Sequence, residues 1–450
     1  MCAVYENSNA IHIEQAQNML ISEPHRLPAT TLARLVASGE LTAEAVVRSC
    51  LDRIHEREPE VRAWVHLDPE QALAAARACD RNGRGGLLKG VPFGVKDIFD
   101  TADMPSGYGS PIYTGCRPSF DASAVSLPRA AGAILLGKTV TTEFANRHPG
   151  PTSHPKNRLH TPGGSSSGSA AAVADFMIPL AVGTQTGGSM IRPAAYCGVV
   201  GFKPTFGLFP PAGMHPNTES CDTVGAMARS VADIALFRAV LMAIPYEPPV
   251  LPEQPPRLAL CRTPAWDKAL PEGKATLEDA AARLRAAGAH IVDSELPADC
   301  AEMSTFHRSL TIYEAPRNHA AELQRHESLI SDDLLSNGRI AAGRKLSIDD
   351  FRSAWRGAER ARAAASVWAG TFDAILTLPA PGQAPKGLHS TGDPSFNLFW
   401  TGLYMPCLTL PAGEGPDGLP VGIQLVGCRH DEARLLATGL WVERHLGARA

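Results

Sequence analysis

The sequence predicts an α/β fold, and three observations carry that expectation. Short apolar runs of strand length alternate with longer segments of helical period over most of the chain. Residues 419–427, LPVGIQLVG, are almost continuously apolar, as a strand covered on both faces must be. Hydrophobic residues make up 44% of the 450 and charged residues 20%, which supports a large core and excludes global disorder.

Helical period comes first along the chain. Residues 30–36 and 42–54 read as amphipathic helices; in the second, Thr42 can cap while Val46, Val47, Cys50, Leu51 and Ile54 form one stripe. Residues 70–81 continue in the same way up to an Asn82-Gly83 break, so the first part of the chain, about 1–82, is a helical region. Residues 90–100, GVPFGVKDIFD, then read as a buried strand end that carries Lys96 and Asp97. Strands are expected at 133–136, 177–182, 258–261, 290–292, 374–378 and 419–427, with helices at 170–174 and 275–287. The Pro-rich stretch 245–256 has strands on both sides and reads as a surface crossing within a single 1–450 domain.

Charge narrows the partners. Lys and Arg number 42 against 46 Asp and Glu, a formal net charge of −4, with no long basic run to track a phosphate backbone, so nucleic acid is not an expected partner. The N-terminal MCAVYENSNAIHIEQAQNML has acids and asparagines where a secretory signal needs a basic start and an apolar run. No apolar run approaches the roughly 18 residues of a membrane span, because Asp175 and Pro179 interrupt the most hydrophobic stretch. The 10 cysteines are scattered singly, without paired metal-ligand spacing, which fits free thiols in a cytoplasmic protein.

Chemistry concentrates in residues 161–193, TPGGSSSGSAAAVADFMIPLAVGTQTGGSMIRP, with two Gly-Gly-Ser clusters. A flexible linker uses the same letters, yet a linker has no reason to enclose a buried helix and strand. Glycines let backbone N–H groups turn toward a ligand, and serine adds a hydroxyl that attacks a carbonyl once a base removes its proton. His148, His154 and His160 lie just upstream in a Pro/Asn-rich loop. Lys96 is the other candidate base, provided burial lowers its pKa; the alternative is a structural ion pair with Asp97 or another acid. Residues 164–168 also match the G-x-S-x-G elbow with Ser166 as nucleophile, but NRLHTPGG before it reads as a loop where the elbow needs a strand.

Taken together, GVPFGVKD, TPGGSSSGSAAAVADFMIPLAVGTQTGGSMIRPAAYCGVVGFKPT, ESCDTVGAMARSVAD and LPAGEGPDGLPVGIQLVG resemble the amidase signature hydrolases over nearly the whole chain, including malonamidase-like, aryl-acylamidase-like and urethane-cleaving members. The resemblance implies an α/β/α sandwich around a large mixed β-sheet, with a motif-bearing catalytic core at about 88–235. It implies a Ser-cisSer-Lys triad at Lys96, Ser165 and Ser189; composition alone leaves Ser165, Ser166 and Ser167 open, and only the family pattern selects Ser165. It also implies a cis peptide at Ser165, an oxyanion hole from the backbone N–H groups of Thr186, Gly187 and Gly188, and no metal or organic cofactor.

Arg192 stands three residues after Ser189, where the commoner family pattern has two; this resembles the malonamidase-like variant, in which the arginine binds a substrate carboxylate. A structural ion pair is the alternative. Thr184 and Gln185 are expected to orient the site or substrate by hydrogen bonding, Gln185 replacing a frequent aspartate. Residues 206–221 and 306–346, with Phe209, Met214, Phe306, Leu310, Tyr313 and Leu334, offer either a pocket wall or ordinary core. The expected activity is hydrolysis of small linear amides through an acyl-enzyme, with aryl esters and carbamates (urethanes) as extensions, by a monomer or homodimer. Two alternatives stand beside it: a glutamine-amidase subunit of a tRNA-dependent amidotransferase, and a non-catalytic binding protein on the same fold.

Overall fold

The structure, a computed structural model, describes residues 22–82, 85–336 and 338–447. The N-terminal segment read for a signal, part of the expected helical region, and Gly83 lie outside the described residues.

Eleven strands form one mixed sheet: β1 (Trp64–Leu67), β2 (Pro92–Lys96), β3 (Ile134–Thr139), β4 (Leu180–Gln185), β5 (Val200–Lys203), β6 (Thr223–Ala228), β7 (Arg257–Leu260), β8 (His290–Asp293), β9 (Ala374–Thr377), β10 (Cys407–Glu414) and β11 (Pro420–Val426). Their spatial order is β1-β3-β2-β4-β6-β5-β10-β11-β9-β7-β8. Helices cover the sheet, giving the α/β/α sandwich. β2, β3, β4, β6 and β11 are buried at every residue, which explains why β11 is legible as an unbroken apolar run.

The N-terminal helices form as their patterns require, but the region expected to be helical up to 82 also contains β1, whose Trp64–Leu67 pairs with β3 at the edge of the sheet. Thr42 Oγ1 accepts from the Ala45 N–H to cap Ala43–Val61, and Val46, Val47, Cys50 and Ile54 are buried on one side. Leu51, the remaining member of the expected stripe, is half-buried at its edge. Residues 245–256 carry no helix or strand and cross between the Val231–Leu241 helix and β7.

Two boundaries move for physical reasons. The strand expected at 177–182 begins at Leu180, because Pro179 has no N–H for a ladder, and continues through Thr184 and Gln185. The strand expected at 133–136 runs on to Thr139 and carries Lys138 into the core, where Asp97 pairs with it at 3.0 Å. Polar residues at these strand ends break the apolar signal while their partners make burial tolerable.

One parallel pairing places the chemistry. β2 lies beside β4 with Phe93 opposite Leu180 and Val95 opposite Val182, so both strands present their carboxyl ends at the same edge of the sheet. Lys96 ends β2, and Thr184 and Gln185 end β4. Open α/β sheets gather ligands at such ends.

Candidate active site

Three chain segments meet there: the end of β2, the loop 163–166 before the Ser167–Ala174 helix, and the turn 186–190 between β4 and the Ile191–Cys197 helix. Gly163 has φ +85°, and a Cβ there would lie 2.8 Å from the Pro193 Cα, so the first loop packs directly on the helix that follows the second. The Ser166 N–H donates to the Ser189 carbonyl at 3.2 Å and ties the two loops together. Ser166 Oγ accepts from the Thr184 N–H and donates to the Thr184 carbonyl, both at 3.2 Å. A Cβ on Gly183 would meet that hydroxyl at 2.7 Å. Ser166 therefore fastens the loop to β4, and no strand precedes it, so the G-x-S-x-G reading fails on both counts.

The peptide between Gly164 and Ser165 is cis. Ser165 Oγ lies 2.7 Å from Lys96 Nζ, which is also 2.7 Å from Thr184 Oγ1. Lys96 is wholly buried, and burial pulls its pKa down to about 7 against the opposing charge of Asp222. The ion pair weighed for it with Asp97 does not form: adjacent residues of a strand end point to opposite sides, and Asp97 takes Lys138. Exposure rises from Lys96 at 0% through Ser165 at 1% to Ser189 at 9%, so of the three side chains Ser189 lies nearest the solvent.

The turn 186–190 is held by its carbonyls. Thr186 O accepts from His307 Nε2 at 2.7 Å, Gly187 O from Thr401 Oγ1 at 2.8 Å, and Gly188 O from the Arg192 N–H at 3.1 Å. In a trans peptide the N–H of the next residue points opposite to the carbonyl. The N–H groups of Gly187, Gly188 and Ser189 are thus directed away from those partners, and no loop hydrogen bond among the described residues uses them or that of Thr186. Thr186 Oγ1 donates to Asp222 at 2.5 Å, and Asp222 also accepts from the N–H groups of Asn217 and Thr218.

Thr184 and Gln185, expected to orient the site or the substrate, spend their hydrogen bonds on the site itself. Gln185 Oε1 accepts from the N–H groups of Met190 and Ile191, each at 3.0 Å, and its Nε2 donates to Thr401 Oγ1 at 3.0 Å; its amide is committed to fixing the turn. Thr184 uses its hydroxyl on Lys96. Arg192 is buried and makes no ion pair among the described residues. Its Nη2 donates to Gly164 O at 2.6 Å, the carbonyl of the cis peptide, and to Thr391 Oγ1 at 3.1 Å, while Nε and Nη1 are buried without a partner.

The histidines upstream reach no serine of the site. His154 Nε2 donates to Tyr196 O, with burial pulling its pKa down to about 4; His160 contacts Ala384 O, and His148 pairs with Asp333 at the surface. Of the suggested pocket residues, Phe209, Leu310 and Leu334 are core. Sequence reasoning assigned no role to Asp222, although it lies in the quoted ESCDTVG motif, and missed His307, Thr391 and Thr401, isolated letters that only the tertiary fold brings near.

A mixed α/β sheet with a buried lysine and two glycine-flanked serines at its strand ends is the architecture of amidase-signature hydrolases. The chain belongs to that family: the family model described as Amidase matches residues 45–436. It is 32% identical to a glutamyl-tRNA(Gln) amidotransferase subunit of Chloroflexus aggregans, over 93% of this chain and 96% of the relative. Among solved structures it is similar to an amidase (30% identity, TM-score 0.85, 94% of this chain and 100% of that one). The native peptide amidase of Stenotrophomonas maltophilia superposes with TM-score 0.78 at 31% identity, covering 94% of this chain and 98% of the other. A 6-aminohexanoate cyclic dimer hydrolase complexed with substrate gives TM-score 0.83 at 25% identity, covering 93% and 97%.

Proposed function

We propose that the protein hydrolyses small linear amides by acyl transfer to Ser189, with aryl esters and carbamates open to the same chemistry. The observation that carries this reading is a wholly buried lysine with no hydrogen-bonded acid, 2.7 Å from Ser165 Oγ in a loop tied to Ser189. Neutral Lys96 takes the Ser165 proton as Ser165 takes that of Ser189, and Ser189 Oγ adds to the carbonyl carbon. The oxyanion is met by N–H groups of the turn Thr186, Gly187 and Gly188, with that of Ser189 in the same orientation. The proton returns through Ser165 to the leaving nitrogen, the C–N bond breaks, and water releases the acyl group by the reverse relay. Arg192 is the residue read as taking a substrate carboxylate, a role that needs its Nε and Nη1, sealed from solvent in this structure, to be uncovered when substrate binds.

The experiment is turnover in hydroxylamine. Acyl groups diverted to hydroxamate by the wild type and not by Ser189→Ala support the acyl-enzyme, whereas full turnover in Ser189→Ala ends the assignment. A second reading draws on the amidotransferase relatives: glutamine hydrolysis coupled to partner proteins and tRNA. Arg192 and Gln185 depart from the commoner motif and favour the free-standing amidase. Glutaminase activity that appears only with those partners would reverse the order.

A further inference from the structure

A cavity of about 630 Å³ is lined by the side chains of Phe206, Glu219, Glu314, Phe351, Trp355 and Tyr404 among others. Its size is that of a small-molecule site. None of the residues assigned to the acyl-transfer chemistry lines it. The segment 217–222 touches both the cavity and the site: Glu219 and Ser220 line the cavity, while Asp222 accepts from Thr186 Oγ1 of the turn.

The walls are aromatic and fixed. Phe206 stacks on Tyr404 at 4.3 Å, with the Arg362 guanidinium 3.5 Å from the Tyr404 ring, and Tyr404 OH donates to Ser220 O at 2.8 Å. Phe351 packs between Tyr313 and Trp355, and Trp355 remains 37% exposed, unusual for the largest apolar side chain. A carboxylate sits in the wall. Glu314 is buried and forms no ion pair among the described residues; its Oε2 takes both the Ser220 N–H at 3.2 Å and Ser220 Oγ at 2.9 Å, leaving Oε1 to the cavity. Glu219, on the rim, adds a second negative charge, and Arg352, 3.6 Å from Asp349, and Arg356 are exposed on the same rim, with Arg362 also 5.5 Å from the Trp355 ring, so the charge buried in the wall itself is that of Glu314. Burial raises Glu314 toward neutrality, to about 7, a cost that a bound cation offsets.

We propose that this cavity is a second binding site, separate from Ser189, for an arylalkyl ammonium ion, with the ring among Phe206, Phe351 and Trp355 and the ammonium on Glu314. Carboxylate and aromatic faces both select a cation of this kind. The inference does not depend on the acyl-transfer reading, because binding is measured without turnover. Phenethylammonium is titrated by calorimetry and by tryptophan fluorescence, with 3-phenylpropionate as the anion of similar size. Saturable binding of the cation alone is expected, at least tenfold weaker in Glu314→Gln, which keeps an acceptor for Ser220, and unchanged in Ser189→Ala. Trp355→Ala, at an exposed helix position, should weaken binding too, and it serves if Glu314→Gln fails to fold. No binding, preference for the anion, unaltered affinity in both wall variants, or competition with a substrate amide would overturn the proposal.

Discussion

Lys96 and Lys138 lie on neighbouring parallel strands, both with 0% exposure, yet their surroundings are opposite. Lys138 has its charge answered: Asp97 Oδ1 at 3.0 Å, Phe99 O at 2.6 Å and Ser106 Oγ at 2.6 Å surround the ammonium. Lys96 has two hydroxyls and, among the described residues, no carboxylate in hydrogen-bond contact. Burial lowers the pKa of both, and in Lys138 the attraction of Asp97 pulls the other way. Lys203 adds a control: it is equally buried and, among the described residues, bonded only to Pro204 O, with no serine hydroxyl on it. Burial without an acid frees a lysine to be neutral, and a hydroxyl aimed at its nitrogen is what makes neutrality useful.

The sharpest way to break the contrast is to replace each lysine by methionine. Lys96→Met should lower kcat/KM by about 10²–10⁴-fold, the range of a positioned base, with the fold intact by circular dichroism. Lys138→Met should do the reverse. It strands Asp97 in the core, a change that costs about 3–5 kcal/mol, read as a lower denaturant midpoint with the residual folded enzyme still active. The double variant Asp97→Asn, Lys138→Met should recover part of that loss. A Lys96→Met enzyme of near-normal kcat/KM would remove the distinction altogether.

The next effect is on pH. If neutral Lys96 is the base, kcat/KM rises with pH and levels off above about 7, tenfold per unit on the acid side. Stability follows the same group. Between about 7 and the ordinary lysine pKa of about 10.4, the unfolded chain holds a proton that native Lys96 has lost, so this residue's contribution to stability rises with pH across that window. An acid limb in kcat/KM that lies near 10 would mean that Lys96 is not the group titrating.

The frame around this contrast is legible in the sequence, but of the contrast itself only the Lys96 half is. The strand carrying Lys96, the helix cap at Thr42 and the unbroken apolar run of β11 follow from period and composition, since each is a local pattern. The choice of Ser165 over Ser166 was not local: it depends on which hydroxyl faces Lys96 and which is stitched to Thr184, and the three letters are identical. Lys138 was invisible for another reason. A charged letter in an apolar run normally ends a strand, and only its distant partners in space reverse that inference. Thr401 and His307, which grip the Gly187 and Thr186 carbonyls, sit on helices remote in sequence and carry no motif.

The smallest expected effect tests how Lys96 is aimed rather than whether it acts. Thr184 Oγ1, 2.7 Å from Lys96 Nζ, accepts one of its N–H bonds, and in the proposed mechanism that bond would leave the amine lone pair to Ser165. A hydrogen bond of this kind is worth about 0.5–1.5 kcal/mol, so Thr184→Val should lower kcat by roughly two- to tenfold while KM changes little. The acceptor also favours the charged lysine more than the neutral one. Its loss should therefore move the acid limb of kcat/KM to lower pH, a shift that a merely loosened turn would not produce. Thr184→Ser keeps the hydroxyl and should restore both kcat and the limb, whereas an unmoved limb in Thr184→Val would reduce Thr184 to packing and leave the aim of Lys96 to Ser165 alone.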